Sequence, residues 1–429
     1  MMRDSIFLCH RLPYPPNKGD KIRSYALLCH LAKRGPVHLA CFVDAAEDLQ
    51  YLDKVRQLAK GECYFERLSP ATKAWRSLAG LAGGKPLTTA CFGSGRLQQW
   101  VLQTLARKPV KDFVVFGSAM APYLLKAPIA PQRVLFDMVD IDSDKWRQYA
   151  SGSRGALKWL YAREARKLEA LERRAAQAFG YTLLASDFEA ETFREIAPES
   201  AAKTFGLTNG VDLQRFSSAD FKSPFDPGET AIVMTGRMDY RPNYEGALWF
   251  AAQVFPEILK SVPKARVHFV GSGPPPALRA IAGHRIAVTG TVADVRPYLQ
   301  FAGAVIAPLQ IARGVQNKVL EAMAMAKPVV ATREATRSLG VKPGHHLWVE
   351  NEPRRFAKAV IEALQGPSAE PVARNSRQYV EDHHDWPAVL KEVDRYLEAL
   401  QPAHSPSTEG QAPSRAADPS LQLAARWKS

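Results

Sequence analysis

No stretch of the chain approaches the roughly 18 uninterrupted apolar residues of a membrane span. The first apolar run, Ile6 to His10, is only strand length and is cut off by Arg11 and Pro13, which does not describe a signal peptide. Cysteine is scarce. Cys9, Cys29, Cys41, Cys63 and Cys91 form no C-x-x-C pair, and an odd number argues against a disulfide framework. Cys9 and Cys41 lie in strand-like runs and read as small core residues. A reducing cytoplasm fits this usage. Acid is also in deficit, with 43 Asp and Glu against 57 Lys and Arg, a formal charge of +14. The first 190 residues hold 29 basic and 18 acidic side chains, so most of the excess lies there. A phosphorylated substrate, an anionic membrane surface, nucleic acid or a plain solvated surface would each suit that asymmetry. No nucleic-acid recognition motif accompanies it, so nucleic acid is not expected as a partner.

What is present describes a packed α/β protein. Hydrophobic residues make up 46% and charged residues 23% of 429 positions, a globular balance and more than one core's worth of chain. β-rich runs alternate with helical spacing: Ile6–His10, Val37–Val43, Phe113–Gly117, Arg133–Asp137 and Tyr181–Ala185, then Ala231–Met234, Ala265–Val270, Ile286–Thr289, Ala304–Ala307 and Val329–Ala331. This predicts two doubly wound, Rossmann-like parallel sheets. Turn residues near 207–228 mark the join. The expected division is a domain over 1–205, a second over 206–375, a helix over 376–400 returning toward the first domain, and a disordered Pro/Ser/Ala/Gln-rich tail over 401–429.

Two segments carry candidate chemistry. In Ala307-Pro308-Leu309-Gln310-Ile311-Ala312-Arg313-Gly314-Val315-Gln316-Asn317-Lys318-Val319-Leu320-Glu321 a strand ends, a Gly loop follows and a helix opens near Gln316. Backbone N–H groups of Gly314, Val315, Gln316 and Asn317 could receive a phosphate there. Lys318 adds a full charge, and Glu321 could accept from ribose hydroxyls. The plainer alternative is an ordinary solvated helix. The second segment is Asp137-Met138-Val139-Asp140-Ile141-Asp142-Ser143-Asp144, at a strand end. Lys145 in place of a sixth-position glycine and the lack of a twelfth-position glutamate speak against a calcium loop. Asp142 or Ser143 could instead cap a helix.

The first segment closely resembles the donor-nucleotide segment of the family 4 glycosyltransferases, which have the GT-B fold. Further blocks resemble the same family in its order: Asn209-Gly210-Val211-Asp212, Thr235-Gly236-Arg237-Met238-Asp239-Tyr240-Arg241-Pro242-Asn243, Val267–Pro274 and Gly290-Thr291-Val292-Ala293-Asp294. Arg11–Arg23 resembles its glycine loop. In detail the chain is similar to sugar transferases associated with bacterial PEP-CTERM/exosortase exopolysaccharide systems. The resemblance implies that Arg237 and Lys318 hold the donor pyrophosphate, Glu321 the ribose, and Thr291 and Val292 the base. It implies that Gly19 permits close backbone approach, and that Asp140 stands near the acceptor where many relatives carry histidine. Two positions depart from the pattern: Arg313 replaces a glutamate and Asn243 a lysine, with Asn243 still expected among the donor-binding residues.

The expected activity is retaining transfer of a sugar from a nucleotide donor to a glycan or lipid-linked acceptor in exopolysaccharide synthesis, with Asp140, Arg237 and Lys318 catalytic. No metal or cofactor is expected beyond the donor. The expected location is cytoplasmic, with the inner membrane face as a candidate docking surface through Lys73–Leu78, Leu81 and Lys85, and through Lys158–Lys167. The alternatives are a nucleotide-sugar 2-epimerase and a non-catalytic nucleotide-sugar-binding module.

Overall fold

In a computed structural model, residues 3–312 and 314–401 are described. Arg313 and the expected tail from 402 onward lie outside them. The chain divides into two units, Met1–Leu207 with the segment from Leu390, and Thr208–Val389. The residues expected to form one helix over 376–400 are the end of the helix Ala369–His383 and the whole of the helix Trp386–Ala399.

The first unit holds seven strands: β1 Ser5–Cys9, β2 Val37–Val43, β3 Lys60–Arg67, β4 Asp112–Phe116, β5 Val134–Val139, β6 Tyr181–Leu184 and β7 Thr204–Gly206. They are all parallel, in the order β3-β2-β1-β4-β5-β6-β7. Every residue of β1, β2 and β4 is buried, as required of strands covered on both faces by helices. Ile6, Leu8, Phe42, Val115 and Phe136 join helix residues such as Leu97, Ala175 and Phe193 in one core.

The second unit holds β8 Thr230–Thr235, β9 Ala265–Val270, β10 Ile286–Gly290, β11 Ala304–Ala307, β12 Val329–Ala331 and β13 Trp348–Val349. Their order is β10-β9-β8-β11-β12-β13, again all parallel. Val233, Phe269, Ile306, Leu320 and Phe356 belong to its core. In both sheets the strand order reverses once, between β1 and β4 and between β8 and β11. A crevice at the carboxyl ends of the strands forms at such a point.

The sequence pattern missed β3, β7 and β13. β3 lies at an edge with no fully buried residue, and β7 and β13 are short edges. The structure has Arg241–Trp249 and Phe255–Ser261 joined by a wider turn over Phe250–Val254, where Pro256 withholds a backbone donor.

Candidate functional site

In the second unit the strand ends line up the residues singled out from sequence. Thr291 follows β10, Gly271 follows β9, Gly236 and Arg237 follow β8, and the loop to the helix Asn317–Ala324 follows β11. Thr291 and Arg237 thus follow strands separated by one intervening strand, β9. Thr291 is exposed, and Val292 half-buried against the core.

The helix Asn317–Ala324 begins after Gly314, whose φ of 60° is the left-handed conformation that glycine tolerates. Gln316, at its N-cap position, makes no side-chain capping bond to the first turn. Lys318 projects from that turn, and its ammonium donates to Oδ1 of Asn243. Asn243 is buried, and its Nδ2 donates to the Arg237 carbonyl at 2.7 Å. Asn243, which stands where the family pattern has a lysine, thus couples the Arg237 loop to the Lys318 side chain. Gly236 makes room for this contact. Its φ is 146°, and a Cβ there would stand 2.9 Å from Asn243 Nδ2 and 3.1 Å from Lys318 Nζ.

Burial pushes the Lys318 ammonium down to about 8, against the pull of Glu321, which favours its charge. Burial pushes the Glu321 carboxyl up to about 7, against the attraction of Arg215 and Lys318. A cation and a carboxylate one helical turn apart are thereby poised near neutrality. Arg215 was not singled out from sequence; only its place just after Asn209–Asp212 could have drawn notice. Asn209 Nδ2 donates to Asn317 Oδ1 at 3.1 Å, which ties that segment to the helix start. Arg237 is exposed and held by Asp239, with Nε 3.1 Å from Oδ1 and a second contact through Nη2. An incoming anion would have to compete with Asp239 for it.

The first unit has its own polar cluster at strand ends. Val139 has φ 70°, a strained value for a β-branched residue, and Asp140 N donates back to Met138 O at 3.0 Å. This tight turn projects Asp140. Burial, then Glu189 and Asp142, push its carboxyl up to about 7, with Lys145 and Arg23 opposing. Neither Asp142 nor Ser143 caps the helix Asp142–Ser151. Ser143 N instead donates to the buried Glu172 at 3.2 Å. Asp137 is consumed structurally, its Oδ2 accepting from Arg23 Nε at 2.7 Å in the core. Asp144 pairs with Arg147. Among the described residues no three His, Cys, Asp or Glu converge as a metal site. Gly19 opens the helix Gly19–Arg34, and a Cβ there would meet nothing within 4 Å.

Residues 229–366 match the family model described as glycosyl transferases group 1. A curated relative is an uncharacterized 44.6 kDa protein of the cps region of Klebsiella pneumoniae, 22% identical over 39% of this chain. The match spans 46% of that relative's length. Among solved structures, Anabaena HepE in complex with UDP and glucose superposes with a TM-score of 0.61 at 13% identity, over 92% of this chain and all of that one. Sucrose-phosphate synthase from Thermosynechococcus elongatus gives 0.65 at 16% identity, over 93% of this chain and 99% of that one. WaaG, a glycosyltransferase involved in lipopolysaccharide biosynthesis, gives 0.62 at 17%, over 91% and 99%. The two parallel sheets are those of the GT-B glycosyltransferase structures, and no helix among the described residues is long and apolar enough to cross a membrane. Residues 229–366 thus match a glycosyl transferases group 1 domain, and the likeness to the solved structures is one of fold over both units.

Proposed function

We propose that the chain transfers a sugar, with retention at the anomeric carbon, from a nucleoside-diphosphate sugar to a glycan or lipid-linked acceptor in the assembly of an extracellular polysaccharide. The observation that carries this reading is the Lys318–Asn243–Arg237 linkage at the head of the helix Asn317–Ala324, with Glu321 one turn on. HepE is described with UDP-glucose bound, which supports a nucleotide-sugar donor, and the cps-region relative supports the polysaccharide setting.

In this mechanism the helix start and Lys318 hold the diphosphate, and Arg237 closes on it after leaving Asp239. Glu321 accepts from the ribose hydroxyls, and Thr291 and Val292 face the base. As the bond from the anomeric carbon to the phosphate oxygen breaks, the negative charge that grows on the diphosphate is met by these fixed positive groups. The acceptor oxygen attacks from the face being vacated. Its proton passes to the departing phosphate, so no protein nucleophile is required. On the first unit, Asp140 is proposed to accept from the acceptor and orient its hydroxyl. No bound metal enters this scheme.

A thermal-shift panel of nucleotide sugars, UDP-glucose first, tests the donor, and label transfer from the stabilising donor into a membrane-lipid extract tests the reaction. Stabilisation by one nucleotide sugar with acceptor-dependent transfer is expected. The absence of a shift with every nucleotide sugar sinks the reading.

A further inference from the structure

The helix Pro70–Ala82 is amphipathic the wrong way round for a helix that only covers a core. Its exposed positions are Pro70, Ala71, Ala74, Trp75, Leu78, Ala79 and Ala82, every one apolar and spaced along one helical face. Its polar residues point inward. Lys73 Nζ is 3.1 Å from Asp44, and Arg76 Nη2 is 2.5 Å from Glu66. Thr72 N donates to Ser69, which caps the helix. Gly80 seats the helix against Ala90, since a Cβ there would come within 2.2 Å of that side chain. Trp75 is 73% exposed and Leu78 63%.

A second protrusion lies beside it. The helix Gly155–Ala178 begins with five consecutive exposed residues, among them Leu157 and a Trp159 that is 60% exposed. Arg163, one turn further on, donates to the carbonyls of Leu81 and Lys85 at 3.4 and 3.2 Å. That bond joins the end of the first helix to the start of the second, so the two apolar protrusions form one surface within the first unit.

The two segments that carry this surface are basic, while the acids that pair with Lys73 and Arg76, Asp44 and Glu66, come from outside them. Residues 67–111 contain eight Lys or Arg and no Asp or Glu, and residues 145–163 contain five and none. Lys85, Arg154 and Lys158 are exposed at its rim and have no ion-pair partner among the described residues. Exposed indole and leucine ringed by unpaired cations suit an interface between hydrocarbon and anionic headgroups, where tryptophan sits at headgroup depth and lysine snorkels outward. A protein partner's interface would be depleted of lysine.

We infer that this face, centred on Trp75, Leu78 and Trp159, is a docking surface for an anionic lipid bilayer. The chain rests on the membrane through the apolar side chains, and Lys85, Arg154 and Lys158 meet the lipid phosphates. The inference goes beyond the donor reading and does not depend on it.

The test is co-sedimentation of the full chain with phosphatidylglycerol and with phosphatidylcholine vesicles, without donor or acceptor. Binding is expected to phosphatidylglycerol only, weakening as salt rises. Trp75→Ser with Leu78→Ser should lower that partitioning roughly tenfold or more. Lys85→Glu with Lys158→Glu should lower it by a similar factor. Both variants should keep the parent melting temperature, and any donor-induced shift, because the altered side chains are exposed. Equal partitioning of parent and variants, or none to phosphatidylglycerol, overturns the inference. So does self-association in sedimentation velocity that the Trp75→Ser, Leu78→Ser variant abolishes, which would make the face a contact between copies of this chain.

Discussion

Lys318 is a cation whose charge is marginal where the chain would use it. Burial has lowered its pKa to about 8, and the only opposing influence is Glu321. A diphosphate bound at the helix start favours the protonated ammonium, so donor affinity is present below that pKa and is lost as pH rises through it. Donor kcat/KM is therefore expected to fall above about pH 8, and the fall should be absent in Lys318→Met, which keeps the stem without the charge. Lys318→Ala should cost about 10–100-fold, the worth of a charge-assisted hydrogen bond. A pH profile unchanged by Lys318→Met would place the titrating group elsewhere. Asn243 and Gly236 have a different standing: they set where the ammonium lies and need not touch a ligand. The sequence singled out Lys318 through its place after a glycine loop and Asn243 as a donor-site position that departs from the family pattern, but the bridge that Asn243 makes was invisible there. Its two amide ends serve partners distant along the chain, the Arg237 backbone at 2.7 Å and the Lys318 side chain, and only the folded strand ends bring these together.

At the level of elements, two helices of the first unit, Leu87–Cys91 and Asp142–Ser151, are started by buried carboxylates. Glu164 accepts from the N–H groups of Leu87 and Thr88 at 2.7 and 2.8 Å, and Glu172 from Ser143 N and Ser118 Oγ at 3.2 Å each. Both acids come from the helix Gly155–Ala178, which thus sets the start of two neighbouring helices. Burial and the nearby Asp142 push the Glu172 carboxyl up to about 8, with its hydrogen bonds to Ser143 and Ser118 opposing. An acid with a raised folded pKa holds its proton in the native state after the unfolded chain has released it. Its contribution is therefore full below the ordinary glutamate range near 4.5 and declines until pH passes about 8. Thermal unfolding across that window should show Glu172→Gln losing stability less steeply than the parent, by about 1 kcal/mol per pH unit. Parallel curves would mean that Glu172 does not carry the proton. The sequence pattern found the central strands because β1, β2, β4 and β8 are almost wholly apolar. It did not mark Gly95–Arg107 or Asp187–Ile196. Glu164 and Glu172 lie inside the helix Gly155–Ala178, where nothing in the local pattern marks them as partners of other helices. A caps-by-contact arrangement leaves no local signature, since the acid and the helix it caps lie 29 residues apart for Ser143 and 77 for Leu87.

Over the whole molecule the two units have separate cores and separate polar clusters, with the residues of the donor reading all but confined to 208–389. Gly19 and Asp140 alone belong to the first unit. The donor reading consequently makes a local claim about where ligand binding should be felt. Amide exchange at the head of the helix Asn317–Ala324 and in the loop from Gly236 to Asn243 depends on opening of segments with glycines at φ 60° and 146°. A nucleotide sugar held there must suppress that opening. At a ligand concentration about a hundredfold above Kd, linkage gives roughly 2.7 kcal/mol, enough to slow exchange there by about two orders of magnitude. Hydrogen exchange with and without the stabilising nucleotide sugar should show that slowing at 236–243 and 314–321. It should also appear at 290–292 if the base is held by Thr291 and Val292. With donor alone, the strand-end turn at Val139 and Asp140 should exchange as before, because the acceptor is assigned to it and none is present. Slowing confined to the turn at 139–140, with 314–321 unaffected, would reverse the division of labour between the two units and take Lys318 out of the mechanism.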